Sequence, residues 1–366
     1  MTLFADDIPP VQRRRPRTWI GWVLILVAVI GVVVVGFSPA PYVIEKPGPV
    51  FDTLGTVSDN GKEVPLVDVT SATTYPTTGA LDMLTVSLDG DRENPLNWID
   101  TALAWLDPSK AVVPIDDVYP EGQTVQQSND EASTEMQDSQ KDAIAAAEKE
   151  LGYDVRSTIT VADVIAGEPA EGVLQKGDII RTVGGTAPFD ENETRSLIGA
   201  HGTASPLAIG ITRAGKQMTV EVTPTTYQGA TVVGIVLSVD YTYPVAVTIQ
   251  LQNVGGPSAG QMFALGIIDK LTPGSLTGGV HVAGTGTITA TGDIGAIGGI
   301  RQKMYGAVRA GATVFLAPAS NCDEVVGHIP SGLSVYAVSN LSDSLADLKV
   351  VADGGDTSSL ATCDAG

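Results

Sequence analysis

The chain has 366 residues, 43% of them hydrophobic and 17% charged, which is a globular mix long enough for two or three domains. Its formal net charge of −21 argues against nucleic acid as a partner, because phosphate recognition needs basic patches. The same acidity suits a soluble, self-repelling surface.

In chain order, residues 1–18 form a polar tail with Arg13, Arg14, Arg15 and Arg17 close together. Residues 19–37 carry no charge and are rich in Val, Ile and Leu. About 19 such residues nearly match a ~30 Å hydrocarbon core, so one transmembrane helix is expected there. Trp19, Trp22 and Phe37 lie near its ends, where interfacial aromatics sit. The arginines then place the tail in the cytoplasm and the rest of the chain outside a cell membrane. A cleaved signal peptide is the rival reading. The apolar run is longer than an ordinary signal core, although Ser38-Pro39-Ala40-Pro41 has the look of a cleavage site.

Residues 41–152 read as an extracytoplasmic lead-in followed by strands and helices. Leu66 to Thr70 and Leu81 to Leu88 have strand character, with a turn signal at Pro76 to Gly79. Leu96 to Leu106 reads as a short helix. Residues 128–151 read as a clear helix, capped by Asp130 or Ser133 and ended by Gly152. Residues 153–226 are a β-rich block. In it Ile179, Ile180 and Val183 face a small core, Gly184-Gly185 turn the chain, and Asn192 to Ala200 form a helix. Residues 229–350 alternate strand and helix patterns. Val232 to Val239 and Val245 to Leu251 are β-rich, Pro257 to Leu271 and Ile300 to Ala310 are helical. Residues 351–366 are a Gly- and Asp-rich tail.

Two stretches in the last block carry chemistry. The first is Gly255-Gly256-Pro257-Ser258-Ala259-Gly260. Proline suits a first helical turn, and the free N–H groups there can hold an oxyanion. Small neighbours let a substrate backbone approach. Taken alone, Ser258 reads as readily as a helix cap. The second stretch runs from Thr285 through Gly298-Gly299-Ile300-Arg301-Gln302-Lys303, followed by Ala307 to Ala312.

Together, GGPSAG and TGTITATGDIGAIGGIRQK resemble the proteolytic domain of Lon proteases. The likeness is greatest to a membrane-anchored, Lon-like branch that has a PDZ domain and no ATPase. The resemblance implies an α+β fold: a Lon-type proteolytic domain with an inserted PDZ-like domain, preceded by the transmembrane helix. It makes Ser258 the nucleophile, Lys303 its base and Thr285 the lysine's hydrogen-bond partner, with Gly256, Pro257 and Ala259 shaping the turn. The strands and helix of residues 60–152 would be the first half of that domain, so strands from 60–90 should pair with strands from 230–290. Two positions depart from the pattern. Gly255 stands where Lon proteases usually have an acidic residue, and Thr287 where they have glutamate.

Residues 153–226 resemble a PDZ domain through Thr160 to Val164, Ala166 to Ala170 and Leu174 to Gly185. A PDZ groove takes a peptide as an added strand. Its usual carboxylate loop is not recognisable, and Val155 to Thr160 is the expected place.

An ordinary serine needs a base within hydrogen-bond reach. An ordinary lysine, with a pKa of ~10.4, is protonated at neutral pH and cannot serve. Burial can lower that value by several units, and Ile297, Ile300, Met304 and Ala307 make an apolar setting for Lys303. Lys270 is a weaker candidate, roughly 18 Å along the serine helix. His281 is the one histidine that could join a Ser-His-Asp triad, and a structural role reads better for it. No HExxH, CxxC or acidic metal triplet occurs, so neither metal nor cofactor is implied. The P-loop pattern GxxxxGKS/T is missing too. Expected substrates are therefore unfolded or exposed polypeptides, with a peptide in the PDZ-like groove. The resemblance also allows a ring-forming homo-oligomer. A peptide-binding or quality-control scaffold without catalysis is the alternative function. Cys322 and Cys363, the only cysteines, form an even pair that outside the membrane favours a disulfide.

Overall fold

The computed structural model describes residues 18–59, 61–251 and 254–363, without the side chains at 18 and 20. Helix α1 (Thr18–Gly36) contains no charged residue. Among the described residues no helix is long and apolar enough to cross a membrane. The arginines expected on the cytoplasmic side lie outside the described residues.

The chain then enters a mixed α/β body. Strand β1 (Tyr42–Asp52) leads through the short β2 (Val67–Val69) to β3 (Ala80–Asp89) and β4 (Ala111–Pro114). β1 pairs antiparallel with β3 on one side and β4 on the other. Its ladder with β3 slips between Pro47 and Val50, where proline has no N–H to donate. The short helix expected near residue 100 is present at Trp98–Ala104, capped by Asn97. Helix α2 (Val125–Glu150) starts earlier than expected. Thr124, rather than Asp130 or Ser133, caps it, in a capping box with Gln127. Gly152 follows it at φ +82, as the expected stop requires.

Strands β5 (Arg156–Val164) and β6 (Ile179–Val183), helix α3 (Glu191–His201), and strands β7 (Leu207–Arg213), β8 (Lys216–Val222) and β9 (Ile235–Thr242) make a second, smaller unit. Its five-stranded sheet has the order β8-β7-β6-β5-β9. Val161, Leu207, Ile209 and Ile211 are fully buried at its centre. The structure corrects two expectations here. The run at 232–239 was expected in the catalytic half, but β9 pairs with β5 from Ile235↔Val164 to Thr242↔Arg156. The segment at 155–160, expected to hold a carboxylate loop, is instead the start of β5, enclosed between β6 and β9.

After this unit the chain returns through β10 (Val247–Ile249), α4 (Gly260–Leu271), β11 (His281–Gly284), α5 (Ile300–Ala310), β12 (Val314–Pro318), β13 (Ser334–Val338) and α6 (Leu341–Ala352). The main sheet has the order β13-β12-β11-β3-β1-β4. β10 pairs with β2 and β11 pairs parallel with β3, so strands on either side of the smaller unit share hydrogen bonds, as expected. Every residue of α4 from Gly260 to Asp269 is buried, which makes it the central helix. Ala143, Ala146 and Ala147 of α2 pack in the same core; small side chains let two helices come close. Cys322 and Cys363 are bonded, S–S 2.07 Å, tying the C-terminal tail to the body.

Candidate active site

Ser258 lies in the turn just before α4. The helix begins at Gly260 rather than Pro257, so proline shapes the approach instead of opening the first turn. Gly256 has φ +86, a conformation that favours glycine. Its amide donates to the carbonyl of Ala132 on α2 at 2.7 Å. The hydroxyl of Ser139, about two turns further along the same face of α2, donates to the carbonyl of Pro257 at 2.9 Å. On the other side, the amide of Gly286 and the hydroxyl of Thr285 both donate to the carbonyl of Ser258, each at 2.9 Å. The serine turn is thus fastened from two directions.

Gly255 explains one departure from the Lon pattern. A Cβ at that position would stand 2.7 Å from the methyl of Ala132. An acidic side chain does not fit without moving α2.

Lys303 reaches the same turn from the first turn of α5. Gly299, left-handed at φ +67, starts that helix, and the Lys303 amide donates to its carbonyl. The Lys303 Nζ is 2.8 Å from Ser258 Oγ and 3.0 Å from Thr285 Oγ1. The residue is 3% exposed and lines a cleft together with Leu84. Burial brings its pKa down to about 7, against the opposing pull of the Glu45 carboxylate. Glu45 itself is pushed up by burial and by Glu324, and drawn back by Lys303. No sequence pattern marked Glu45: it lies in a proline-bearing strand more than 200 positions from Ser258, and only the sheet brings it near.

A cleft of about 470 Å³ opens onto Ser258 and Lys303, lined also by Glu45, Met136, Gly298 and the Leu84–Leu88 part of β3. β3 pairs with β11 only as far as Met83. Beyond it, that edge of β3 is left to the cleft.

The other candidates lie apart. Lys270, at the far end of α4, donates to the carbonyl of Val67. His281 holds the Asp82 carboxylate on β3 at 2.5 Å. Neither lines the cleft.

This turn-and-lysine geometry occurs within a segment of known kind. Residues 252–350 match the Lon protease (S16) C-terminal proteolytic domain. Residues 124–223 match the PDZ domain. Lon protease 1 of Sorangium cellulosum is 37% identical over 94 residues, 25% of this chain and 11% of that protein. Lon protease 2 of Herpetosiphon aurantiacus is 40% identical over 93 residues, again 25% and 11%. The matched part of this chain therefore spans about a tenth of the length of those relatives. Among solved structures, the PDZ domain of an SdrC-like protein from Listeria monocytogenes is 25% identical, with a TM-score of 0.21, covering 22% of this chain and 85% of that one. The Lon-type segment contains Ser258, Thr285 and Lys303. The PDZ match includes α2 and the β-rich unit from β5 to β8, and ends before β9.

Proposed function

We propose that the chain is a serine endopeptidase that works through Ser258 and Lys303, without ATP. The observation that carries this reading is the buried, weakly basic Lys303 amine at 2.8 Å from the Ser258 hydroxyl. In the neutral lysine, a lone pair faces the serine proton while an N–H is given to Thr285. Ser258 Oγ attacks the carbonyl carbon of the scissile peptide bond as its proton passes to Nζ. Amides at the start of α4, those of Ser258 and Ala259, stabilise the oxyanion, aided by the dipole of the helix. The ammonium then protonates the leaving amine, and the C–N bond breaks. A water, deprotonated by the regenerated amine, attacks the acyl ester; a carboxylate leaves and Oγ recovers its proton.

In this reading the PDZ-type unit delivers or gates exposed polypeptide. α1 serves as a single-pass anchor with its N-terminus in the cytoplasm, which puts the cleft outside the cell membrane. The charge-free sequence of α1 supports an anchor, and the arginines before it support the orientation. Casein hydrolysis by the wild type, lost in Ser258→Ala and in Lys303→Ala, tests the mechanism. Equal hydrolysis by all three would rule out the dyad mechanism, and no hydrolysis by the wild type would leave the alternative, a peptide-binding scaffold. Extraction of the full chain from membranes only by detergent tests the anchor, and sedimentation tests ring assembly.

A further inference from the structure

Among the described residues, two charged side chains line the serine cleft, Lys303 and Glu45. The mechanism uses the lysine. The glutamate has no part in it. Among the described residues no hydrogen bond or ion pair closes on the Glu45 carboxylate. The carboxylates around it are occupied. Glu324 accepts from the side-chain amide of Asn321 at 3.0 Å, and Asp89 pairs with Lys46 at 2.7 Å.

Strand register decides where Glu45 points. Across β1 and β3, Glu45 stands opposite Leu88 and Pro47 opposite Val86. Alternate residues share a face, so these four lie on one side of the main sheet. That side is the one α5 covers. An added Cβ at Gly299 would meet Val86 Cγ2 at 2.6 Å, and one at Gly306 would stand 3.6 Å from the Pro47 Cβ. Lys46 falls on the opposite face, with Asp89. Arg301, the other cation in the first turn of α5, is turned to the backbone carbonyl of Glu324 at 3.3 Å. Glu45 therefore faces the cleft with no cation of the chain paired to it, and Glu324 adds negative charge close by.

The apolar surface leading to this carboxylate is open. Leu88 is 42% exposed, and Val86 and Leu88 both line the cleft. A chain lying on the free edge of β3 is two strand spacings from β1, ~10 Å. Lysine and arginine have the long apolar stems that cross such a distance along a hydrophobic surface while the charged head stays free. A short or purely apolar side chain would leave the carboxylate without a partner.

We propose that Glu45 makes the cleft selective for polypeptides with a lysine or arginine within about two residues of the scissile bond. The stem of that side chain lies over Val86 and Leu88, and its head pairs with the Glu45 carboxylate. Burial already keeps water from part of that carboxylate, so an incoming cation supplies the donor that the fold leaves out. The bound cation also offsets the pull of Glu45 on Lys303. The amine then loses its proton more readily while such a substrate is in place. This inference rests on the peptidase reading for cleavage, but its binding step does not.

The test uses the full chain and quenched fluorescent peptides that differ at one position, filled by lysine, norleucine or glutamate. Norleucine keeps the stem and removes the charge. Cleavage sites are read by mass spectrometry. The lysine peptide should be cut near that position with kcat/KM higher than the norleucine peptide by roughly tenfold or more, and the glutamate peptide should be poorest. The acidic limb of kcat, which reports groups in the enzyme–substrate complex, should lie at lower pH for lysine than for norleucine. Glu45→Gln should bring the lysine and norleucine peptides close to equal. Equal rates in the wild type, or a lysine preference that Glu45→Gln leaves intact, would overturn the proposal. Casein hydrolysis without any preference among the peptides removes this inference and keeps the peptidase. If the wild type cleaves nothing, binding decides: tighter binding of the lysine peptide by Ser258→Ala, lost in Ser258→Ala with Glu45→Gln, keeps the subsite and removes the peptidase.

Discussion

Thr285 gives its one hydroxyl proton to the carbonyl of Ser258, at 2.9 Å. Its oxygen can therefore only accept from Lys303, 3.0 Å away. That fixes which way the neutral amine turns: an N–H towards threonine and the lone pair towards the serine hydroxyl. Thr285→Val keeps the shape and removes both contacts. Peptide hydrolysis should fall by roughly 10- to 100-fold in kcat with little change in KM, because a positioning contact is lost rather than a binding one. Thr285→Ser should restore most of the rate.

The pH profile follows from the lysine. With its pKa drawn down to about 7 by burial, kcat/KM should rise through an acidic limb near that value as the amine loses its proton. Glu45 favours the charged amine, so Glu45→Gln should move the limb to lower pH. A limb that stays in place would show that Glu45 does not act on Lys303.

Substitution of Lys303 should move stability and activity in opposite directions. The folded-state pKa lies below the unfolded one, so between about pH 7 and pH 10 the unfolded chain binds the extra proton. Stability therefore rises with pH across that window and is lowest, and flat, below it. Lys303→Met removes this cost. It should raise resistance to urea at pH 7 by a few kcal/mol and abolish hydrolysis. It should also flatten the stability curve between pH 7 and 10.

Gly255 is confined by Ala132, whose methyl would lie 2.7 Å from an added Cβ. Gly255→Asp should lower both Tm and activity, at a cost of about 1–3 kcal/mol for overpacking. Ala132→Gly in the same chain should recover part of the loss. Full activity in Gly255→Asp alone would mean that α2 yields more easily than its contacts suggest.

Much of the site was legible because residue identity and local spacing carry it. Ser258, Thr285 and Lys303 each sit in a glycine-rich stretch whose small residues make a turn and a close approach possible, and those needs are written into neighbouring positions. The cysteine pair was readable by count. So was the return of β10 and β11 to pair with β2 and β3, through the resemblance of the segments flanking the smaller unit.

Other features depend on which distant strands meet, and no local pattern encodes that. Glu45 enters the cleft only because β1 lies beside β3 in the main sheet. Strand β9 reads as part of the later segment, yet it joins β5 across more than 70 positions. An apolar-polar alternation specifies an open face but not a partner. The tertiary structure supplied the partner. Which side chains could do chemistry was a property of the residues themselves. Which charges surround them was decided by pairing and burial, since electrostatic setting depends on distances that only the folded chain defines.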